Sequence, residues 1–177
     1  MLKLSLLRHA KSSRDESDLD DFDRPLATRG LRDAPEMGKR LKAHGVAPSL
    51  VLTSPARRAA QTARLIALEI GYPVHSLQAD KRLYLASVRE LMKIVRGSDD
   101  DVSHLMLVGH NPSFTDLANR LVGGGIENIP TCGYAELEFD VPRWKQVGEG
   151  AGRLVHFNFP KNRGSSGFVP PPLRERE

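Results

Sequence analysis

Short apolar runs alternate with helical patterns over the first two thirds of the chain, and this alternation is the strongest constraint on its fold. Such alternation is typical of βαβ units, which build a parallel sheet. No long helical pattern separates the last two runs, so at least one of them is expected to be antiparallel. The sequence therefore predicts an α/β fold, a three-layer αβα arrangement with a mostly parallel central sheet and helices on both faces. The six strand candidates are 2–7, 49–53, 74–78, 104–109, 134–140 and 153–159.

Four helices are predicted, over 29–43, 54–70, 87–96 and 112–122. The third has apolar residues at the i, i+3, i+4 and i+7 spacing of a core-facing helix. Pro35 lies inside the first and predicts a kink or a new helix start there.

The length of 177 residues is enough for one continuous core. One domain is expected over 1–162. The stretch 163–177 is rich in Gly, Ser and Pro and is expected to be a loose C-terminal tail. Arg8 and His9 interrupt the N-terminal apolar stretch early, unlike a signal peptide, and no apolar run reaches the roughly 18 residues that span a bilayer. With a single cysteine, Cys132, the expected location is the cytoplasm, with no membrane partner.

The formal net charge is +4, with a pI near 9.4. Such a charge suits a phosphorylated or acidic ligand as well as a nucleic acid. The basic residues are scattered and aromatic residues make up only 6% of the chain, without the alternation that a base-stacking platform needs. Nucleic acid is therefore not the expected partner.

Basic and polar residues follow two of the strand candidates at the point where each ends. Arg8 and His9 come directly after the first, and His110 follows the fourth. Asn111 is a good N-cap and Pro112 a good first helical residue, so His110 should lie just before a helix. Ligands of open parallel sheets bind at the carboxyl ends of the strands. We therefore expect the two histidines to share one site.

The second strand candidate ends in a similar way. Ser54 is a candidate N-cap, Pro55 would open the helix, and Arg57 and Arg58 would fall in its first turn. Only one of two adjacent helical residues can point into the site. Two arginines, two histidines and helix N-termini together form a site suited to a doubly charged anion. The pattern predicts a phosphate pocket.

The acidic run at 15–23 lacks the Gly and the terminal Glu of a calcium loop. We expect it to be a solvated loop. The alternative is that it borders the mouth of the pocket and repels the wrong anions.

Three motifs in order resemble the histidine phosphatase superfamily, the "RHG" branch, and in particular its small phosphohistidine phosphatases of the SixA type. They are Arg8-His9-Ala10, "SPARRAAQTA" at 54–63 and "VGHNPS" at 108–113. The resemblance extends over about 2–162 and includes Arg24-Pro25-Leu26.

The resemblance implies a role for each matching residue. His9 would be the nucleophile that forms a covalent phosphohistidine, and Arg8 would bind the phosphoryl oxygens. Arg58 would be the second arginine, and His110 would hydrogen-bond the phosphoryl group. The backbone amide of Asn111 would add a substrate-binding donor.

No metal or cofactor is expected for this chemistry. A neutral imidazole is a competent nucleophile towards phosphorus, and nearby guanidinium charges disfavour its protonation. Phosphoryl transfer mainly needs in-line positioning and stabilisation of oxygen charge, which two arginines and a histidine supply. Activity should therefore survive chelators.

The general acid departs from the family pattern, in which a Glu shortly follows the third strand. Lys81 stands at the corresponding position, and the adjacent Asp80 is the candidate substitute. Without a strong acid, alkoxide leaving groups should be poor, whereas a phosphoramidate demands less of the enzyme. Phosphohistidine is therefore the favoured substrate.

The expected function is a hydrolase that removes phosphate from the phosphohistidine of a phosphorelay or phosphocarrier protein. One alternative is a phosphatase of a small phosphorylated metabolite, which would share every catalytic residue. An alternative of a different class is a non-catalytic phosphate-binding or nucleic-acid-binding module.

Overall fold

The computed structural model describes residues 1–163. Residues 164–177 lie outside this part of the chain, and with them lies almost all of the tail predicted from the sequence. The domain boundary at 162 stays a prediction. No helix in the described part is long and apolar enough to cross a membrane.

One six-stranded sheet runs through the molecule in the order β3-β2-β4-β1-β5-β6. Strands β1 to β4 pair in parallel, whereas β5 is antiparallel to both β1 and β6. The predicted α/β fold with a mostly parallel sheet is confirmed, as is the antiparallel pairing expected near the C-terminal end. The strands are β1 (Leu2–Arg8), β2 (Leu50–Thr53), β3 (Gln78–Ala79), β4 (His104–Gly109), β5 (Tyr134–Phe139) and β6 (Gly152–Asn158).

Helices cover both faces of the sheet. They are α1 (Thr28–Ala43), α2 (Arg57–Ile70), α3 (Val88–Arg96) and α4 (Ser113–Val122). Because side chains alternate along a strand, Leu4 and Leu6 of β1 belong to the core cluster under α3 and α4, whereas Leu7 belongs to the cluster under α1 and α2. Two separate cores therefore lie on opposite faces.

The third predicted strand is largely wrong. A 3-10 turn, Val74–Ser76, occupies most of 74–78, and only Gln78–Ala79 pairs with β2. Pro73 directly precedes that turn, and both residues of β3 are exposed at the edge of the sheet. The apolar residues at 74 and 77 thus give a strand-like pattern to a segment that is mostly turn.

Three predicted helix starts are also corrected. Helix α4 starts at Ser113 with Pro112 as its N-cap, one residue later than the predicted Asn111 cap and Pro112 start. Helix α1 runs unbroken through Pro35, so no new helix starts there. Its buried face, which includes Ala34 and Met37, continues on both sides of the proline, and packing compensates for the lost hydrogen bond. Helix α2 starts at Arg57, two residues after Pro55, and Ala56 rather than Ser54 is its N-cap.

Candidate active site

Three strand ends place the predicted residues together. In the parallel register Arg8 pairs with Gly109 and Thr53 pairs with Val108. His9 and His110 therefore follow the paired ends of two neighbouring strands, β1 and β4, and their ring centroids are 5.2 Å apart.

The His9 ring is held with one nitrogen unprotonated. Nδ1 lies 2.7 Å from the carbonyl oxygen of Ala10, which only accepts, so Nδ1 carries the proton and Nε2 keeps its lone pair. The residue is 8% exposed. Burial lowers the pKa of His9 from 6.5 to about 4. The Ala10 hydrogen bond, the second-largest effect, opposes this shift, and the charges of Arg58 and Arg8 add to it. The ring is therefore neutral at neutral pH, with the lone pair of Nε2 available.

Arg58, and not Arg57, points into the site. Its Nε lies 3.4 Å from Nε2 of His9, and its Nη2 lies 3.4 Å from Nδ1 of His110. Arg58 is 6% exposed, whereas Arg57 is exposed on the outer face of the first turn of α2. One edge of the guanidinium thus faces both histidines.

His110 is anchored by Ser54. The Ser54 hydroxyl oxygen lies 2.8 Å from Nε2 of His110 and accepts a hydrogen bond from the backbone N–H of Ala56. Because Nη2 of Arg58 can only donate, Nδ1 of His110 accepts from it, and Nε2 carries the proton and donates to the Ser54 hydroxyl oxygen. Burial, with the charges of His9 and Arg58, lowers the pKa of His110 to about 3. From the sequence, Ser54 is predicted to be a helix N-cap, and its contact with His110 is not predicted.

Arg8 and Asn111 both line the pocket. Nη1 of Arg8 donates to the carbonyl oxygen of Ile129, while its Nε is buried with no hydrogen-bond partner among the described residues. Burial lowers the pKa of Arg8. The Asn111 side chain also donates to Ile129 and accepts from the N–H of Thr115, so it ties the loop at 128–130 to α4.

Asp21 is the main residue that sequence reasoning missed. It lies in the acidic run and lines the pocket, where its carboxylate accepts hydrogen bonds from Tyr84, Arg24 and Arg58. The Tyr84 hydrogen bond, with those of the two arginines, holds the pKa of Asp21 far below its usual range. The run therefore contributes one residue to the pocket itself, which the solvated-loop interpretation does not account for. Of its two arginine partners, only Arg24 is close to Asp21 in sequence, whereas Arg58 is 37 residues away. The contact with Arg58 therefore could not be predicted from the local sequence.

The structure does not bring Asp80 to the pocket. Its carboxylate accepts from Nη2 of Arg82 at 2.7 Å and from the backbone N–H of Arg82, so it caps a 3-10 turn. The Arg82 hydrogen bonds lower the pKa of Asp80, which opposes the general-acid role. Neither Asp80 nor Lys81 is among the residues lining the pocket.

The pocket is built for an anion. Within residues 1–163, its lining contains five cationic side chains and one carboxylate, that of Asp21. Among residues 1–163 no group of three or more His, Cys, Asp or Glu side chains is arranged to hold a metal ion. The cationic side chains are those of Arg8, Lys11, Arg14, Arg24 and Arg58.

Comparisons with known proteins place this geometry in a family. Residues 4–83 match the family model described as the histidine phosphatase superfamily, branch 1. An uncharacterized protein of Mycobacterium tuberculosis is 35% identical over 165 residues, which cover 88% of this chain and 100% of that protein.

Solved structures share the fold. One is from Agrobacterium tumefaciens, described as a candidate phosphohistidine phosphatase, SixA. It is 25% identical with a TM-score of 0.77, over 90% of this chain and 98% of that chain. A mycobacterial glucosyl-3-phosphoglycerate phosphatase is 17% identical with a TM-score of 0.65, over 88% of this chain and 97% of that chain, and shows the fold alone.

Proposed function

The chain belongs to the histidine phosphatase superfamily, as a SixA-type member, and from this premise we propose that it removes phosphate from protein phosphohistidine. His9 is the nucleophile, and Arg8, Arg58 and His110 bind the phosphoryl group, with the backbone amide of Asn111 as a further donor. The reaction needs no metal ion. Its location in the cytoplasm stays a prediction.

The first step transfers the phosphoryl group to the enzyme. The lone pair on Nε2 of His9 attacks phosphorus, and the P–N bond to the substrate's imidazole breaks with its electron pair going to that nitrogen. A proton already on the other ring nitrogen of the substrate makes the leaving group a neutral imidazole. Meanwhile Arg8 and Arg58 stabilise the oxygen charge. Once a phosphoryl oxygen replaces Nδ1 of His110 as the acceptor for Arg58, the ring adopts the other tautomer, in which Ser54 donates to Nε2 and Nδ1 donates to a phosphoryl oxygen.

The second step releases phosphate. A water molecule attacks the phosphorus of phosphorylated His9, the P–N bond breaks, and Nε2 recovers its lone pair. The low pKa of His9, about 4, means that the ring is neutral and ready for the next attack at neutral pH. The water's proton ends on solvent or on the released phosphate.

The observation that carries this substrate preference is the hydrogen bonding of Asp21, whose carboxylate accepts from Tyr84, Arg24 and Arg58. Among residues 1–163 it is the one carboxylate that lines the pocket, and these donors lower its pKa and favour the deprotonated form. It therefore has no proton to give to a leaving alkoxide. A phosphoramidate brings its own proton on the imidazole and does not need that acid.

The test is phosphate release from a histidine-phosphorylated carrier protein in the presence of EDTA, with wild type and His9→Ala compared. We expect rapid release by the wild type and none above background by the variant. Release that EDTA abolishes would contradict the metal-independent mechanism. No release by either protein would reject the phosphohistidine assignment.

A second candidate is a phosphatase of a small phosphorylated metabolite, because a mycobacterial glucosyl-3-phosphoglycerate phosphatase shares this fold. It would use the same residues, so only a kinetic comparison of the two substrate classes separates them. The non-catalytic alternative predicts phosphate or nucleic-acid binding without turnover, and the same His9→Ala comparison tests it.

A further inference from the structure

We propose that Asp21 is a positioning residue that clamps the guanidinium of Arg58 in the orientation that faces the nucleophile. The clamp comprises Asp21, Arg24, Tyr84 and Arg58. This inference rests on the proposed function and adds a residue from the acidic run to its machinery.

Two edges of the Arg58 guanidinium have different partners. Nε and Nη2 form the edge that faces Nε2 of His9 and Nδ1 of His110. Along the neighbouring edge, which is formed by Nη1 and Nη2, Nη1 donates to the backbone oxygen of Asp21 at 2.6 Å and Nη2 donates its other proton to Oδ2 at 3.0 Å. Because the guanidinium is a rigid planar fork, fixing one edge fixes the direction of the other. Asp21 thus keeps the Nε–Nη2 edge directed at the two histidines, where phosphoryl oxygens would replace the ring nitrogens as acceptors.

Asp21 is itself fixed by donors on both carboxylate oxygens. Oδ1 accepts from Nη2 of Arg24 at 2.8 Å and from its Nε at 3.3 Å. Oδ2 accepts from the Tyr84 hydroxyl at 2.7 Å in addition to Arg58. These four bonds use the roughly four acceptor positions of a carboxylate. The side chain is held in one place although it is 50% exposed.

Tyr84 connects the clamp to the second histidine. Its ring lies edge-on to His110, with centroids 5.6 Å apart, and edge-on to Phe22 at 5.1 Å. The hydroxyl can therefore be removed by Tyr84→Phe while these ring contacts are kept. That substitution weakens the clamp at one bond only.

A carboxylate beside a phosphate pocket weakens phosphate binding, so its effects on binding and on turnover can be measured separately. Its negative charge repels a bound phosphate dianion, so it does not serve ground-state binding. Orientation of Arg58, in contrast, matters most when charge develops in the transition state. Removing the charge of Asp21 should therefore lower kcat without weakening the binding of inorganic phosphate.

The experiment compares Asp21→Asn and Tyr84→Phe with Asp23→Asn, which removes the same charge from the same 3-10 turn outside the clamp. The measurements are kcat and KM for a chemically phosphorylated histidine peptide and the Ki of inorganic phosphate. We expect kcat to fall about tenfold or more in Asp21→Asn and about threefold in Tyr84→Phe, with an unchanged or lower Ki. Asp23→Asn should stay within about twofold of wild type. A wild-type kcat in Asp21→Asn, or a raised Ki with unchanged kcat, overturns the clamp.

A second readout does not depend on turnover. Side-chain NMR should show slow rotation of the Arg58 guanidinium in the wild type and faster rotation in Asp21→Asn. If the wild type lacks activity, the proposed function fails, while this comparison still decides whether the clamp exists. If Asp21→Asn does not fold, the same two measurements on Tyr84→Phe decide, and wild-type behaviour there overturns the proposal.

Discussion

His9 and His110 are neutral because of where they lie. Each is less than a tenth exposed, and Arg58 faces both of them. A protonated ring would lose its hydration and meet a guanidinium, so the pocket disfavours the charged form twice. The same cations that would bind a phosphoryl group in the proposed reaction thus keep the lone pair of His9 available. Phosphoryl binding and nucleophilicity would then have one physical cause.

Lowering the pH should destabilise the protein as its histidines are forced to protonate. The pKa of His9 is about 4 when folded and 6.5 ordinarily, so the unfolded chain takes up the proton first. The contribution to stability is complete above pH 6.5 and is lost as the pH falls towards 4, by about 1.4 kcal/mol for each pH unit between these two values. NMR titration should place the His9 ring midpoint well below 6.5, assigned by its absence from His9→Ala, and Tm should fall over the same interval. A midpoint near 6.5 would contradict a neutral buried nucleophile.

At the scale of elements, helix α1 supports the segment that follows the nucleophile. The first turn of α1 packs against the backbone of Lys11, whose carbonyl oxygen accepts from the N–H of Ala27 at 2.8 Å. Gly30 makes this approach feasible, because a Cβ there would overlap the Lys11 carbonyl oxygen. The glycine is therefore required by the close backbone contact and not by an unusual φ.

Gly30→Ala should lower both stability and activity. The added methyl group pushes the backbone of Lys11 away, which lowers the free energy of unfolding by about 1–3 kcal/mol. His9, which precedes Lys11 by two residues, is displaced with it. Gly38→Ala is the matched control, because a Cβ there would meet Glu69 of α2 instead. We expect thermal denaturation to show a loss in both variants, with kcat reduced only in Gly30→Ala. Equal kcat values in the two variants would show that α1 does not position the nucleophile's segment.

For the whole molecule, the sequence predicted the fold and the core of the site for the same reason. Periodicity identifies strands, and residues directly after parallel strands must meet at one edge of the sheet, which locates Arg8, His9 and His110. It predicted the third strand poorly, because that segment is a turn and an exposed two-residue edge strand. It could not pair Ser54 with His110, 56 positions away, or Asp21 with Arg58, because these contacts exist only once the chain has folded. The family resemblance suggested a role for each site residue, whereas the hydrogen-bond partners of these residues became known only from the folded structure.

In the proposed reaction, the charge balance of the whole pocket sets the leaving-group preference. Of the residues that the structure describes, five cationic side chains and one ionised carboxylate line the pocket, which would stabilise phosphoryl oxygens without offering a carboxylic acid. We expect a phosphohistidine peptide and an activated aryl phosphate to be hydrolysed, and an alkyl phosphate to be at least about 100-fold slower in kcat/KM. Phosphate release from the three substrates at equal concentration measures this, with His9→Ala as the background for each. The aryl ester isolates the effect of the leaving group, because it is an oxygen ester that departs without protonation. Alkyl phosphate hydrolysis as fast as that of the peptide would require a proton donor in the pocket and would favour the small-metabolite phosphatase instead.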